Sequence, residues 1–542
     1  MNTPLRRRTV VLGMGAGSAA LLAAGCTRPA ARSLPPVQWV GASHARGHRL
    51  RGQRLSGSDA LPPPAVQHRA AALVLGGGVA GLAAARGLLR RGVQDVHLLE
   101  LEDQPGGNSR GHQLAGMACP LGAHYLPLPG PQAREVAEWL HELGLLKQVL
   151  GRTVADERHL CHSPQERLFF DGTWVDGLVP PVEPGSASAR QMQAFAQAVV
   201  QVRREGARSG PGGAPAFAQP SHRSAWGPLH AALDAQTFAQ WLDARGLDDS
   251  HLRWYLSYCC RDDYGATPAE VSAWAGLHYF ASRHGFHAPG NDASSENRDA
   301  VFTWPEGNGW LTQRLAAPLG ERLHGGRTVL RVSEGRHEVQ VLAWDEARQR
   351  VESWTAPLVV LALPLFIAAR IVQNPTPALR EAAARLHHAP WLVANLHIDA
   401  PLLGRPGAPA SWDNVVYGGG LGYVDAMHQS LQPVPGATVL TAYHALPRGE
   451  RAALLAADPA PWAERVLAEL RVVHPDIDRR VQRIHLMRWG HAMAIPAPGV
   501  QRHPALLALR AARGRLRFAH ADLAGYSVFE EAFMAGSEAA LG

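Results

Sequence analysis

Apolar positions along this chain follow two periods, and the switches between them predict its elements. Residues 71–75 are a continuous apolar run with the length of a strand buried on both faces, and residues 96–99 repeat it. Between them, residues 79–91 are alanine-rich with helical period. Helical patterns return at 132–145, where Val136, Leu140 and Leu143 share a face, and at 187–208, 237–245, 251–260 and 268–280. Residues 167–174 read as a hairpin around Asp171-Gly172. Period-two alternation at 328–332, 338–344 and 350–354 predicts a three-stranded antiparallel insertion. A strand at 358–363 and further strands at 391–398, 414–417, 438–443 and 483–489 follow. Helices are expected at 311–323, 461–473 and 528–541.

The first two runs enclose the most informative chemistry. Gly76, Gly77, Gly78 and Gly81 form a G-x-G-x-x-G cluster between strand and helix, and the second strand delivers Glu100. In a dinucleotide-binding βαβ unit, Gly76 permits the sharp turn and Gly78 lets backbone approach a pyrophosphate. Gly81 lets the helix lie close to the strand. The helix N-terminus offers unpaired N–H groups to phosphate, and Glu100 accepts hydrogen bonds from a ribose 2′-OH.

Beyond Glu100 stand Gly106-Gly107 and then Asn108-Ser109-Arg110. Here the chain resembles the flavin-dependent amine oxidase and phytoene desaturase superfamily. Further resemblances follow in order: the turn Pro305-Glu306-Gly307-Asn308-Gly309, the run Val359-Val360-Leu361-Ala362-Leu363-Pro364, and residues 517–527 leading into the last helix. The resemblance implies FAD as cofactor, with Gly106, Gly107 and Arg110 around its phosphates and the Gly122-Ala123-His124-Tyr125 segment beside the flavin ring. It implies that Asp522 bonds the ribityl or pyrophosphate part, with Gly525 in the adjoining turn. The last helix would aim its positive end at the flavin. The implied fold class is α/β: a Rossmann-like, glutathione-reductase-like FAD-binding domain, with a parallel sheet and an antiparallel insertion. A mixed α+β substrate domain is inserted into it. The FAD domain is expected at 69–130, 300–372 and 505–542, and the substrate domain at 131–299 and 373–504.

Charge changes the picture at the N-terminus. Arg6, Arg7 and Arg8 without acids in residues 1–26, and six arginines against Asp59 in 27–68, more than account for the net charge of +7. The body is therefore close to neutral, and no nucleic-acid partner is expected. Arg7-Arg8 followed by the apolar stretch 9–25 fits a twin-arginine signal, and Leu22-Ala23-Ala24-Gly25-Cys26 resembles a lipoprotein processing site. The expectation is export to the periplasm and membrane attachment through a lipidated Cys26; an uncleaved anchor is the alternative. Residues 27–68, rich in Pro, Arg, Gly and Ser, read as a solvated tether. The aromatic and basic stretch 38–51 leaves open docking on the body or on lipid headgroups. Cys119, Cys161, Cys259 and Cys260 allow disulfides without requiring them.

The expected reaction is hydride transfer from a substrate C–H to flavin, with a small amine or a hydrophobic alkene-type molecule as substrate. O2 or another acceptor would take the electrons. The alternative is a non-catalytic or electron-transfer flavoprotein at the membrane. Many amine-oxidising relatives keep a lysine that holds a water near the flavin. The single lysine here, Lys147, follows a surface helix, so that relay is not expected. His491 is the candidate proton acceptor, against a purely structural histidine. Trp489 and Tyr526 are candidates for an aromatic wall, against core packing. In Y-C-C-R-D-D-Y, residues 258–264, paired acids could bind a cationic amine, but a solvated turn with salt bridges is the commoner meaning. No histidine spacing suggests a metal site. No Cys follows Cys260, which excludes a flavin linked to a C-terminal cysteine and leaves a His link open.

Overall fold

A computed structural model describes residues 34–52, 61–207, 213–283, 285–289, 300–430, 436–456 and 458–541. The signal 1–26 and its Cys26 lie outside the described residues. The strand Ala72–Leu75 is buried at every position, because both faces of its sheet are covered. That sheet has five parallel strands in the order Leu323–His324, Val96–Leu99, Ala72–Leu75, Val359–Leu361, Leu516–Phe518. The helices Val79–Arg90 and Phe529–Leu541 cover one face, packed so closely that a Cβ on Gly536 would meet the Ala80 carbonyl. The opposite face carries the antiparallel insertion Arg327–Glu334, Val339–Asp345, Arg350–Ala356.

The second unit is an eight-stranded mixed sheet. Its order is Val37–Trp39, Val481–Ala494, His388–Ile398, Thr438–Ala445, Tyr423–Asp425, Asp413–Val416, Glu166–Phe170, Thr173–Asp176. Pro459–Val473 packs on one face. Ala187–Gly206, Phe238–Asp243, Ser250–Tyr264 and Ala273–Ala281 share the other face's core with Trp391 and Tyr443.

The tether expectation for 27–68 fails within the described residues. Val37–Trp39 pairs in parallel with Ile484–Leu486 and becomes an edge strand of the large sheet. The helix His44–Gly52 follows, and Val66–Arg69 adds a fourth strand to the antiparallel insertion. These strands are three and four residues long, too short for alternation to reveal them. Only a ready-made sheet edge turns such segments into strands.

Candidate active site

One cavity, about 2200 Å³ counting its open mouth, lies between the two units. Its walls come from Gly76–Gly78 and Glu100 at one end, from Gly106–Ser109 beside them, and from Gly122–Pro127, Trp391, Tyr443, Trp489 and His491 beyond.

Gly76 and Gly81 do what their spacing predicts for the backbone. Gly76 has φ +105°, and a Cβ on Gly81 would fall on the Gly76 carbonyl oxygen, so the helix can approach the strand only with glycine there. Gly81 itself acts through this packing and does not line the cavity. The helix begins at Gly78 with no side-chain cap, leaving its first N–H groups at the cavity wall. Gly107 comes against Gly78: a Cβ on it would stand 3.1 Å from the Gly78 Cα. Glu100 is buried and accepts from the Gly77 amide (2.5 Å) and the Glu102 amide (2.9 Å). Burial pushes its carboxyl up despite these two hydrogen bonds. An uncapped helix end, a side-chain-free cradle and a buried acid on one wall fit FAD.

The segment 121–125 is held from several sides. Trp489 Nε1 donates to the Leu121 carbonyl at 2.7 Å, and the Tyr443 hydroxyl donates to the Gly122 carbonyl at 3.0 Å. Asn308 Nδ2 donates to the Tyr125 carbonyl at 2.8 Å. His124 stacks on Tyr443 with ring centroids 4.4 Å apart. Its partial exposure is to the cavity, and burial drives its pKa down to about 3, so it is neutral. His491 is on the cavity wall, 4.6 Å ring to ring from Phe366.

Four expected site residues are placed differently. Asp522 is fully buried beneath the wall: it accepts from the Leu365 amide (2.8 Å) and contacts His388 Nε2 (3.0 Å) and His520 Nδ1 (3.2 Å). Burial opposes its ionisation, but His520 and His388 outweigh burial and hold it well below the usual carboxylate range. His388 and His520 are the wall residues, and Asp522 positions them. Gly525, with φ +79°, closes a turn against Val500 and does not reach the cavity. Arg110 lies outside the cavity wall, with its guanidinium 5.6 Å from the Trp489 ring centroid. Tyr526 is 1% exposed; its hydroxyl donates to Glu531 at 2.8 Å and its ring meets Tyr264 edge-on. The core-packing reading of Tyr526 is the right one. The last helix and the residue before it reach the cavity through Val528, Phe529, Glu530 and Ala532, so an acid pushed up to about 7 by burial stands at its positive end.

The acid pair is the larger correction. Asp262 and Asp263 occupy the last turn of the helix Ser250–Tyr264 and line the cavity, where a solvated turn was expected. Asp263 is paired with Arg283 at 3.0 Å. Asp262 accepts from the Tyr125 hydroxyl at 3.3 Å, and burial, then the neighbouring Asp263, push it up to about 7. Asp413, half-buried, is raised well above the usual range by desolvation and by Glu166 and Asp262. Aromatic residues flanking the pair, Tyr258 and Tyr264, were the available signal of burial.

Lys147 is on an exposed hairpin, 3.5 Å from Asp156, and lies outside the cavity. Cys119, Cys161, Cys259 and Cys260 are free thiols. Among the described residues, no group of three or more His, Cys, Asp or Glu is placed to hold a metal ion.

No curated protein matches the chain in sequence. The profile of the flavin containing amine oxidoreductases matches residues 79–541. In fold the chain is similar to a putrescine oxidase solved with putrescine bound, with TM-score 0.62, 17% identity, and coverage of 88% of this chain and 99% of that one. A cyclohexylamine oxidase from Brevibacterium oxydans gives 0.62 at 18% identity over 87% and 98%. A fatty acid isomerase from P. acnes gives 0.59 at 15% over 86% and 97%. With the profile spanning most of its length and the cradle fitting the cofactor, this chain belongs to the flavin-containing amine oxidoreductase family and is an FAD-dependent oxidoreductase.

Proposed function

We propose that the protein oxidises a small amine that enters the cavity as a cation and is received by Asp262. The observation that carries this reading is the acid-lined end of the cavity, where Asp262 stands beside Tyr125 with its neighbour Asp263 already neutralised by Arg283. A purely hydrophobic alkene would leave that carboxylate with the Tyr125 hydroxyl but no counter-charge, which costs free energy when it is ionised.

Gly76, Gly78, Gly106, Gly107 and Glu100 would hold FAD, which supplies the hydride acceptor when bound and is regenerated by O2 or another acceptor. The remaining work belongs to side chains. An ammonium cannot give up hydride until its proton leaves, so a proton acceptor near neutrality is needed. Asp262, raised to about 7, binds the cation when ionised and takes that proton at its carboxylate. His491 is the second group on the wall able to carry a proton. Trp391, Tyr443 and Trp489 supply large apolar surfaces that exclude water around the reacting carbon. Lys147 takes no part.

The leader sequence supports export by the twin-arginine route to the periplasm, with attachment through a lipidated Cys26. Among the described residues no helix is long and apolar enough to cross a membrane. Replacing Cys26 with Ala should then move the protein from the membrane to the soluble fraction.

The test of function is anaerobic mixing of holoenzyme with a panel of primary and secondary amines, followed by flavin bleaching, and then release of H2O2 in air. Bleaching by amines is expected. Bleaching by unsaturated lipids and never by amines would sink the amine reading, and bleaching by neither would favour an electron-carrier role.

A further inference from the structure

The family profile begins at residue 79, yet residues 34–49 are built into the body. Val37–Trp39 is bonded to the strand Val481–Ala494, which carries Trp489 and His491. The chain then leaves the sheet. The Val40 amide donates to the Leu486 carbonyl at 2.8 Å, Gly41 turns with φ +83° against Met487, and the Ala42 amide meets Met487 Sδ at 3.4 Å. From there it crosses to the other unit. The Ser43 amide donates to Glu102 Oε1 at 2.8 Å, and Glu102 is a buried acid whose own amide donates to Glu100. Arg46 pairs with Asp103 at 2.8 Å, and Arg49 reaches both carboxylate oxygens of Glu346 at 2.8 Å. Between those two arginines, Gly47 forms part of the cavity wall at the end where Glu100, Leu101, Arg327 and Thr328 stand.

We infer that residues 37–49 are a strap that closes the nucleoside end of the cofactor cavity and holds FAD in place. Three features support this. The strap is anchored on both units, so the cavity cannot open at that end without breaking it. Its contacts fall on Glu102 and Asp103, the residues that directly follow the ribose-binding acid and Leu101. Its helix presents glycine to the cavity, which lets backbone pass close to a bound group. A cofactor loaded before export has no supply outside, which gives a reason to retain it. The strap itself requires only that the cavity binds FAD.

The test is the rate at which full-length holoenzyme releases flavin, read as the rise in free-flavin fluorescence after dilution. In Arg46→Ala/Arg49→Ala, release should quicken by about tenfold, as expected for loss of two partly exposed ion pairs. The melting temperature of the flavin-free protein should change little. The charge swap Arg49→Glu/Glu346→Arg should return release towards the wild-type rate. Arg465→Ala, which removes the exposed pair with Glu450, should leave it unchanged. Should the double variant not fold, the single Arg46→Ala should still release flavin about two- to threefold faster. Wild-type release from the variants that fold would overturn the strap. Wild-type protein that carries no flavin would instead overturn the cofactor reading on which it rests.

Discussion

Asp262→Asn removes one charge and keeps the side chain's shape, so its effects separate two roles of that carboxylate. For catalysis, truncating one partner of a buried charge pair costs roughly 2–5 kcal/mol. The lower part of that range applies, because Asp262 is partly protonated at neutral pH. A fall in kcat/KM for amines of about 30- to 300-fold follows, at 1.4 kcal/mol per decade. For stability the sign reverses. Asp262 titrates near 7 in the fold against an ordinary 3.8, so the folded protein holds a proton that the unfolded chain releases. Wild-type stability therefore falls as pH rises from about 4 to about 7, by as much as about 4 kcal/mol, and is level above. Asp262→Asn escapes that loss. Its melting temperature should match the wild type at pH 4 and exceed it at pH 8, while its amine turnover is worse. Thermal melts across that range and steady-state kinetics with one good amine decide the matter. An unchanged kcat/KM, or no gain in stability at pH 8, would refute the role given to Asp262.

Gly81→Ala places a methyl group on the Gly76 carbonyl and 3.1 Å from the Ala362 Cβ, and should cost about 3 kcal/mol or more together with bound flavin, seen as a lower melting temperature and colourless protein. Asp522→Asn should lower stability at pH 7 by about 2–3 kcal/mol, because a buried ionised acid bonded to His388 and His520 is lost. Since Asp522 titrates below its ordinary value, the wild type loses this contribution as pH falls, so the difference in denaturant midpoint should shrink below about pH 4. Lys147→Ala should leave kcat at the wild-type value in the amine assay, and a large loss would show that the exposed hairpin takes part after all.

Much was determined by sequence. Gly76, Gly78 and Gly81, between apolar runs and followed by Glu100, specify backbone events, and backbone events are local: a positive φ, a close approach, a helix start. The antiparallel insertion and the long strand His388–Ile398 of the second sheet were legible for the same reason, since the choice of strand over helix is written in the local apolar pattern. Tertiary structure decided everything that depends on which side chains meet. The family resemblance implied Asp522 as a cofactor ligand, but its partners His388 and Leu365 lie more than a hundred residues away. Asp262 and Asp263 looked like a solvated turn because charge usually seeks water. Only the packing of Tyr125, Arg283 and Asp413 around them turns the pair into a buried, acid-lined end of the cavity. Residues 37–49 carry no periodic signal, because a three-residue strand borrows its stability from the sheet edge it joins. Local pattern records what the backbone must do, whereas burial and electrostatics depend on neighbours that only the fold brings together.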